Sequence, residues 1–134
     1  MTAVVCIDNR NGMMFNKRRQ SRDSVLIDDL MGLCKGKVLH MCPYSASLFE
    51  NYRENILTDE SFPETAGEND ICFFENKDPS PYAESIDKLI VYRWNRHYPS
   101  DLKLTLDMSG YKLQNRTEFK GSSHDKITRE EYTK

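Results

Sequence analysis

The chain has 134 residues, of which 38% are hydrophobic and 30% charged, so it is long enough to bury a core and is expected to fold as a single domain over residues 1–134. Its net charge of −2 gives no reason to expect tight general binding to nucleic acid or anionic lipid. No apolar stretch approaches the roughly 20 residues needed to cross a bilayer, and the start lacks a signal-peptide pattern, so we expect a cytoplasmic protein without a membrane partner.

The first elements alternate between strand and helix. Residues 3–7 form a continuous apolar run, typical of a buried strand, and end in the turn-rich stretch 8–12. From Asp23 to Cys34 the apolar residues recur at helical spacing. Asp23 is a suitable N-cap and Gly36 follows the expected end, which predicts an amphipathic helix.

A second strand and helix follow in the same order. The apolar run 37–41 predicts the strand, and Pro43 opens a predicted helix over 44–52. Two more apolar runs, 71–74 and 87–94, predict further buried strands.

The C-terminal third contains strands alone. Alternating polar residues predict edge or antiparallel strands over 102–106, 111–119 and 126–132. Early strand–helix alternation followed by strands predicts a mostly parallel sheet that ends in an antiparallel hairpin.

Several segments resemble dihydrofolate reductase: 8–13 after the first strand, 35–41 followed by 44–48, and then 87–92, 98–101 and 110–113. The resemblance implies a shortened, divergent member of that family. It implies an α/β fold with three α/β/α layers, a mostly parallel central sheet and a C-terminal antiparallel hairpin. If the chain is an enzyme, it implies an oxidoreductase of the same type.

The chain departs from that family where the family holds NADPH. The family has paired glycines after the strand that matches 71–74, and this chain has Glu75 and Asn76. The family's basic phosphate-binding segment is replaced by 41–45, which carries no cation. Residues 49–70 are too few for the additional strand and helix that flank the adenosine. We therefore expect no cofactor, and NADPH in particular is not expected to bind.

The substrate side of the resemblance supplies two candidate catalytic residues. Asp23 matches the family's carboxylate at the start of the first helix, although an N-cap role explains it equally well. Tyr92 stands where the family has a threonine hydroxyl. Cys42, at a strand end in the expected cleft, and the following Tyr44 and Ser45 are candidate ligand-binding residues.

A basic loop precedes the first helix. Lys17, Arg18, Arg19 and Arg22 put four cations in six residues at the helix start, where backbone N–H groups also favour an anion. Arg18, Arg19 and Arg22 are therefore candidate ligands for a nucleotide or other anion. A solvated surface loop explains the same charges.

The cysteines and histidines do not occur at metal-ligand spacing, so no metal is expected. The basic loop together with 121–132 resembles small proteins labelled ribonuclease Z, but His40, His97 and His124 form no zinc-nuclease motif. Ser122, Ser123 and His124 are adjacent on one turn, which favours turn and capping roles over a nucleophile and base.

Three functions stay open at this point. The first is a divergent dihydrofolate reductase-like protein that binds a small anionic or nucleotide-like molecule and has lost conventional NADPH-dependent reduction. The second is a pterin- or flavin-type reductase that holds its cofactor differently. The third is an RNA- or protein-interaction module that uses the basic loop 17–22, although nucleic acid is the less favoured partner.

Overall fold

The computed structural model describes residues 1–52 and 55–134. Within these ranges the chain forms ten strands, one α-helix and three 3-10 helices. The strands are β1 (Thr2–Ile7), β2 (Gly12–Phe15), β3 (Arg18–Arg19), β4 (Leu39–Met41), β5 (Ile56–Thr58), β6 (Ile71–Phe73), β7 (Lys88–Arg93), β8 (Leu102–Lys103), β9 (Lys112–Phe119) and β10 (Ile127–Thr133). The helices are α1 (Ser24–Leu33) and the 3-10 helices Pro43–Phe49, Ser80–Ser85 and Met108–Gly110.

Seven strands form the central sheet, in the order β5-β4-β6-β1-β7-β10-β9. The neighbours from β5 to β7 pair in parallel, whereas β10 runs antiparallel to β7 and to β9. The predicted fold class, a mostly parallel α/β sheet with a C-terminal antiparallel hairpin, is confirmed. Strands β3, β2 and β8 form a second, smaller sheet in that order.

The sheet buries both of its faces, which is why its central strands are apolar without alternation. Val4 of β1 packs with the apolar side of α1. Ala3 and Val5 point the other way and pack with a cluster that includes Phe62 and Phe74. The three layers are therefore present, but the layer opposite α1 consists of loops, short 3-10 helices and strands of the smaller sheet, whose Met13, Met14 and Leu102 pack there.

The structure confirms the predicted first helix and its cap. The Asp23 carboxylate accepts the backbone N–H groups of Val25 and Leu26, two of the donors that a helix start leaves unpaired. Gly36 has a φ of +76°, a conformation that glycine adopts without strain.

The predicted second helix over 44–52 is wrong in type and length. The structure has the 3-10 helix Pro43–Phe49, which begins with the Ser45 N–H donating to the Cys42 carbonyl. Cys42 provides no side-chain cap, and a helix of seven residues gains little from α-helical cooperativity.

Two strand predictions also need correction. The predicted strand 102–106 is antiparallel and at a sheet edge, as expected, but it is reduced to β8 and pairs with β2 in the smaller sheet. Residues 49–70 were expected to be too few for an additional strand and helix, and for the strand this is wrong, because β5 pairs in parallel with β4. Strand β5 is short and largely exposed, so its sequence lacks the apolar run of a buried strand. None of the described helices is both long and apolar enough to cross a membrane.

Candidate ligand-binding cleft

A narrow cleft opens at the carboxyl ends of the central parallel strands, between the sheet and the start of α1. Its walls include Cys6 of β1, Phe73 of β6 and Trp94, which directly follows β7. Leu26 of α1 closes the side opposite the sheet. Crevices at this edge of parallel sheets are common ligand sites. The free volume is about 20 Å³, room for about one water molecule.

An ion pair between Arg19 and Glu75 lies in this cleft. The guanidinium forms a fork on the carboxylate, with Nε to Oε2 at 2.7 Å and Nη2 to Oε1 at 3.2 Å. The Ser45 hydroxyl, fully buried, donates to Oε1 at 2.7 Å. Arg19 also lies over the Tyr44 ring at 4.6 Å and donates to the Tyr44 carbonyl. We call these four residues the Arg19 cluster.

Three of the residues predicted to bind a ligand, Arg19, Tyr44 and Ser45, therefore meet in one place. The others are separate. Arg18 and Arg22 have exposed side chains, and Arg22 lies at the cleft mouth. The prediction that Cys42 lines the cleft is wrong, because Cys42 is buried in the core on the other face of the sheet. Burial there raises the pKa of its thiol.

Asp23 borders the cleft, but both of its oxygens are occupied by the chain itself. Oδ1 accepts the N–H groups of Val25, Leu26 and Ser122, and Oδ2 accepts the N–H of Ser123 at 2.8 Å. Nδ1 of His124 lies 3.2 Å from Oδ2. Burial alone would raise the pKa of Asp23, but these hydrogen bonds hold it well below its usual range. The carboxylate stays charged and has little capacity left for a ligand.

The loop 121–124 thus closes against the start of α1. His124 is buried, its ring stacks on Trp94 with centroids 4.6 Å apart, and its Nε2 lies 2.9 Å from the Tyr98 hydroxyl. The turn-and-capping interpretation of Ser122 and Ser123 agrees with these contacts, since Ser122 Oγ also accepts the N–H of Ser24. The contact between this loop and Asp23 joins residues about 100 positions apart, and local sequence spacing could not indicate it.

Tyr92, the second candidate catalytic residue, lies under α1 and not in the cleft. It is fully buried, and its hydroxyl donates to Asp29 at 2.6 Å. Burial and this hydrogen bond raise the pKa of the phenol. Arg129 grips the same carboxylate with one nitrogen at 2.6 and 2.7 Å. Asp23 and Tyr92 are not brought together around a common space, and a catalytic role for either stays a prediction.

Comparison with solved structures places this architecture in a known class, the dihydrofolate reductase-like fold. The chain is similar to a dihydrofolate reductase from Enterococcus faecalis complexed with NADP(H) and RAB-propyl, with a TM-score of 0.69 and 10% identity. The match covers 98% of this chain and 94% of that one. At this identity the similarity shows the fold alone. No family model matches the chain, and no curated protein matches it in sequence.

The dinucleotide that the resemblance implies can be tested against the end of β6. Glu75 stands where the family has glycine, and its side chain is only 9% exposed. A diphosphate at this strand end would face that negative charge, and Arg19, the cation in contact with it, is already paired. The residues present do not fit a dinucleotide diphosphate held in this way.

Sequence reasoning missed much of the apolar wall. Cys6, Phe73 and Trp94 are unremarkable within apolar strands, and only their positions at strand ends could have indicated them. Gln20 also lines the cleft, and its Oε1 atom is buried with no hydrogen-bond partner in the described structure. Among the residues described, no three His, Cys, Asp or Glu side chains are grouped to hold a metal ion.

The Arg19–Glu75 ion pair should contribute to the stability of the folded protein. We expect Arg19→Ala to lower the free energy of unfolding by about 1–2 kcal/mol, since it leaves Glu75 without its charged partner but within reach of water. The matched control, Arg22→Ala, removes an exposed cation from the same loop and should change stability by about 0.5 kcal/mol or less. Urea unfolding of both variants measures the difference. Equal effects would mean that the Arg19 pair adds nothing to the folded state.

Proposed function

We propose that this protein binds a small, nucleotide-like or otherwise partly anionic molecule in the cleft and does not carry out conventional NADPH-dependent reduction. The observation that supports it best is the Arg19–Glu75 pair at the end of β6. It puts a charged, hydrogen-bonding group among apolar walls, in a place where a dinucleotide diphosphate would be repelled.

The composition of the cleft supports a binding role. Ligand pockets combine mostly apolar walls with a few convergent polar groups, and this one joins Phe73, Trp94 and Leu26 with Glu75 and the unpartnered oxygen of Gln20. A buried acceptor without a partner is costly, so a ligand donor reaching Gln20 would gain by satisfying it. Arg18 and Arg22 stand at the outside, where they can meet an anionic group.

The loss of NADPH use has a direct test. We expect no saturable change in nicotinamide fluorescence at micromolar protein and cofactor, and no oxidation of NADPH when dihydrofolate is added. The reason is repulsion between Glu75 and the diphosphate, together with the absence of a cation in 41–45. Micromolar binding with hydride transfer to dihydrofolate would establish a reductase and overturn the proposal.

Native mass spectrometry of the protein from its own host tests the binding role without assuming a ligand. A retained small molecule of nucleotide type supports the proposal, whereas a retained pterin or flavin would favour the divergent-reductase alternative.

One observation favours a further candidate function. The cleft is almost closed, while Lys17, Arg18 and Arg22 are exposed beside it, which suits a surface that contacts RNA or another protein. Co-purified RNA or protein in the same native spectra, lost at high salt, would favour this interaction module over a small-molecule site.

A further inference from the structure

The Arg19 cluster has the geometry of a bound ligand held by its site. We propose that the Arg19 guanidinium stands in for the ligand's head group, and that the cleft accepts a flat amidine- or guanidine-type donor that displaces Arg19 and forms the same fork on Glu75. This inference rests on the proposed binding function and specifies its chemistry.

Glu75 is the fixed half of the pair. It directly follows Phe73 and Phe74 at the end of a central strand, both of them buried, and its side chain is 9% exposed. The buried hydroxyl of Ser45 holds Oε1 from a second element. The carboxylate is therefore held in position by the end of β6 and by Ser45 as well as by Arg19.

Arg19 is the movable half. It belongs to β3, a strand of two residues at the edge of the smaller sheet, and follows Asn16 and Lys17, which both have positive φ. Its side chain is already 19% exposed. A short edge strand after a tight turn opens more easily than a central strand.

The two possible displacements have unequal costs. An anion that took Arg19 would leave Glu75, whose side chain is 9% exposed, with the Ser45 hydroxyl but without its charged partner, which is unfavourable. A cation that took Glu75 would release Arg19 into water, where a guanidinium is well solvated. The cleft therefore selects a ligand that replaces Arg19.

The surroundings define the shape of that ligand. The fork on Glu75 requires two adjacent N–H donors in one plane. Tyr44, which now lies under the guanidinium, offers an aromatic face to the same plane. The apolar side chains of Cys6 and Phe73 border the space that Arg19 would vacate, so a flat ring can follow the donor group.

Benzamidine is a suitable probe, because it joins a planar amidinium to an apolar ring. Calorimetric titration of the full chain should detect binding, and Arg19→Ala should tighten it by about tenfold or more, since removal of the internal competitor raises the binding-competent fraction. Lys112→Ala is the control, because it removes an exposed cation of β9 that does not line the cleft, and it should leave the affinity unchanged. Glu75→Gln should abolish binding, and Ser45→Ala should weaken it if the glutamine variant fails to fold.

Two further probes identify the part of benzamidine that is recognised. Benzylamine keeps the ring and a positive charge but lacks the fork, so it should bind at least tenfold more weakly if a bidentate contact is made. Benzoate should not bind. Benzoate binding that depends on Arg19 would overturn the inference in favour of an anion site.

Other outcomes separate this inference from the proposed function. The head-group assignment is overturned if wild type and Glu75→Gln bind benzamidine equally well, or if neither wild type nor Arg19→Ala binds it. If native spectra show a different retained small molecule, the proposed function still stands. If nothing is retained and Cys6 of folded Arg19→Ala is alkylated no faster than Cys6 of the wild type, the cleft does not open, and the proposed function fails too.

Discussion

Replacing Asp23 with alanine is expected to lower the free energy of unfolding by about 3 kcal/mol or more. The substitution removes the acceptor for the backbone N–H groups of Val25, Leu26, Ser122 and Ser123, so it uncaps α1 and releases the loop 121–124 together. Urea unfolding at pH 7 measures the loss. Asp125→Ala, an exposed carboxylate of the same loop, is the control and should cost about 0.5 kcal/mol or less.

The effect of Asp23 should depend on pH. Its pKa is lowered in the folded protein, so its contribution is fully present above the ordinary value of about 3.9 and disappears as the pH falls through the folded value. The stability difference between wild type and Asp23→Ala should therefore shrink below about pH 4. A loss of only about 1 kcal/mol at pH 7, as for an ordinary N-cap, would mean that the loop does not depend on this carboxylate.

The second large effect is expected at Gly121, where the loop passes closest to Asp23. An added Cβ would collide with the Asp23 carboxylate and lie 2.8 Å from Cδ1 of Ile127, whose side chain is fully buried. Neither neighbour can move away cheaply, since one is held by hydrogen bonds and the other is packed in the core. Gly121→Ala should lower the unfolding free energy by about 1–3 kcal/mol.

Gly110→Ala is the matched control for this prediction. A Cβ at Gly110 meets no atom within 4 Å, so the substitution should be neutral or slightly stabilising by reducing the freedom of the unfolded chain. Thermal melts of both variants under the same conditions make the comparison. If Gly121→Ala is as stable as Gly110→Ala, the close packing of the loop on Asp23 is wrong.

The core of the fold could be predicted because its signals are local. The apolar run that became β1 and the helical spacing from Asp23 are properties of neighbouring residues, and burial on both sheet faces leaves such runs few alternatives. Strands β3 and β5 were not predicted, because two or three partly exposed residues carry no period. These are edge strands, and they form because a partner strand is present.

The candidate site divides along the same line. The amino-acid sequence by itself determined that a basic loop precedes α1, that Asp23 stands where it can cap this helix, and that a glutamate follows the third apolar run of the parallel sheet. Only the tertiary structure decided that Arg19 pairs with Glu75 while Arg18 and Arg22 face solvent, and that His124 closes on Asp23 about 100 residues away. The sequence shows which charged groups are present. Which of these groups become buried and paired depends on how the sheet brings distant segments together.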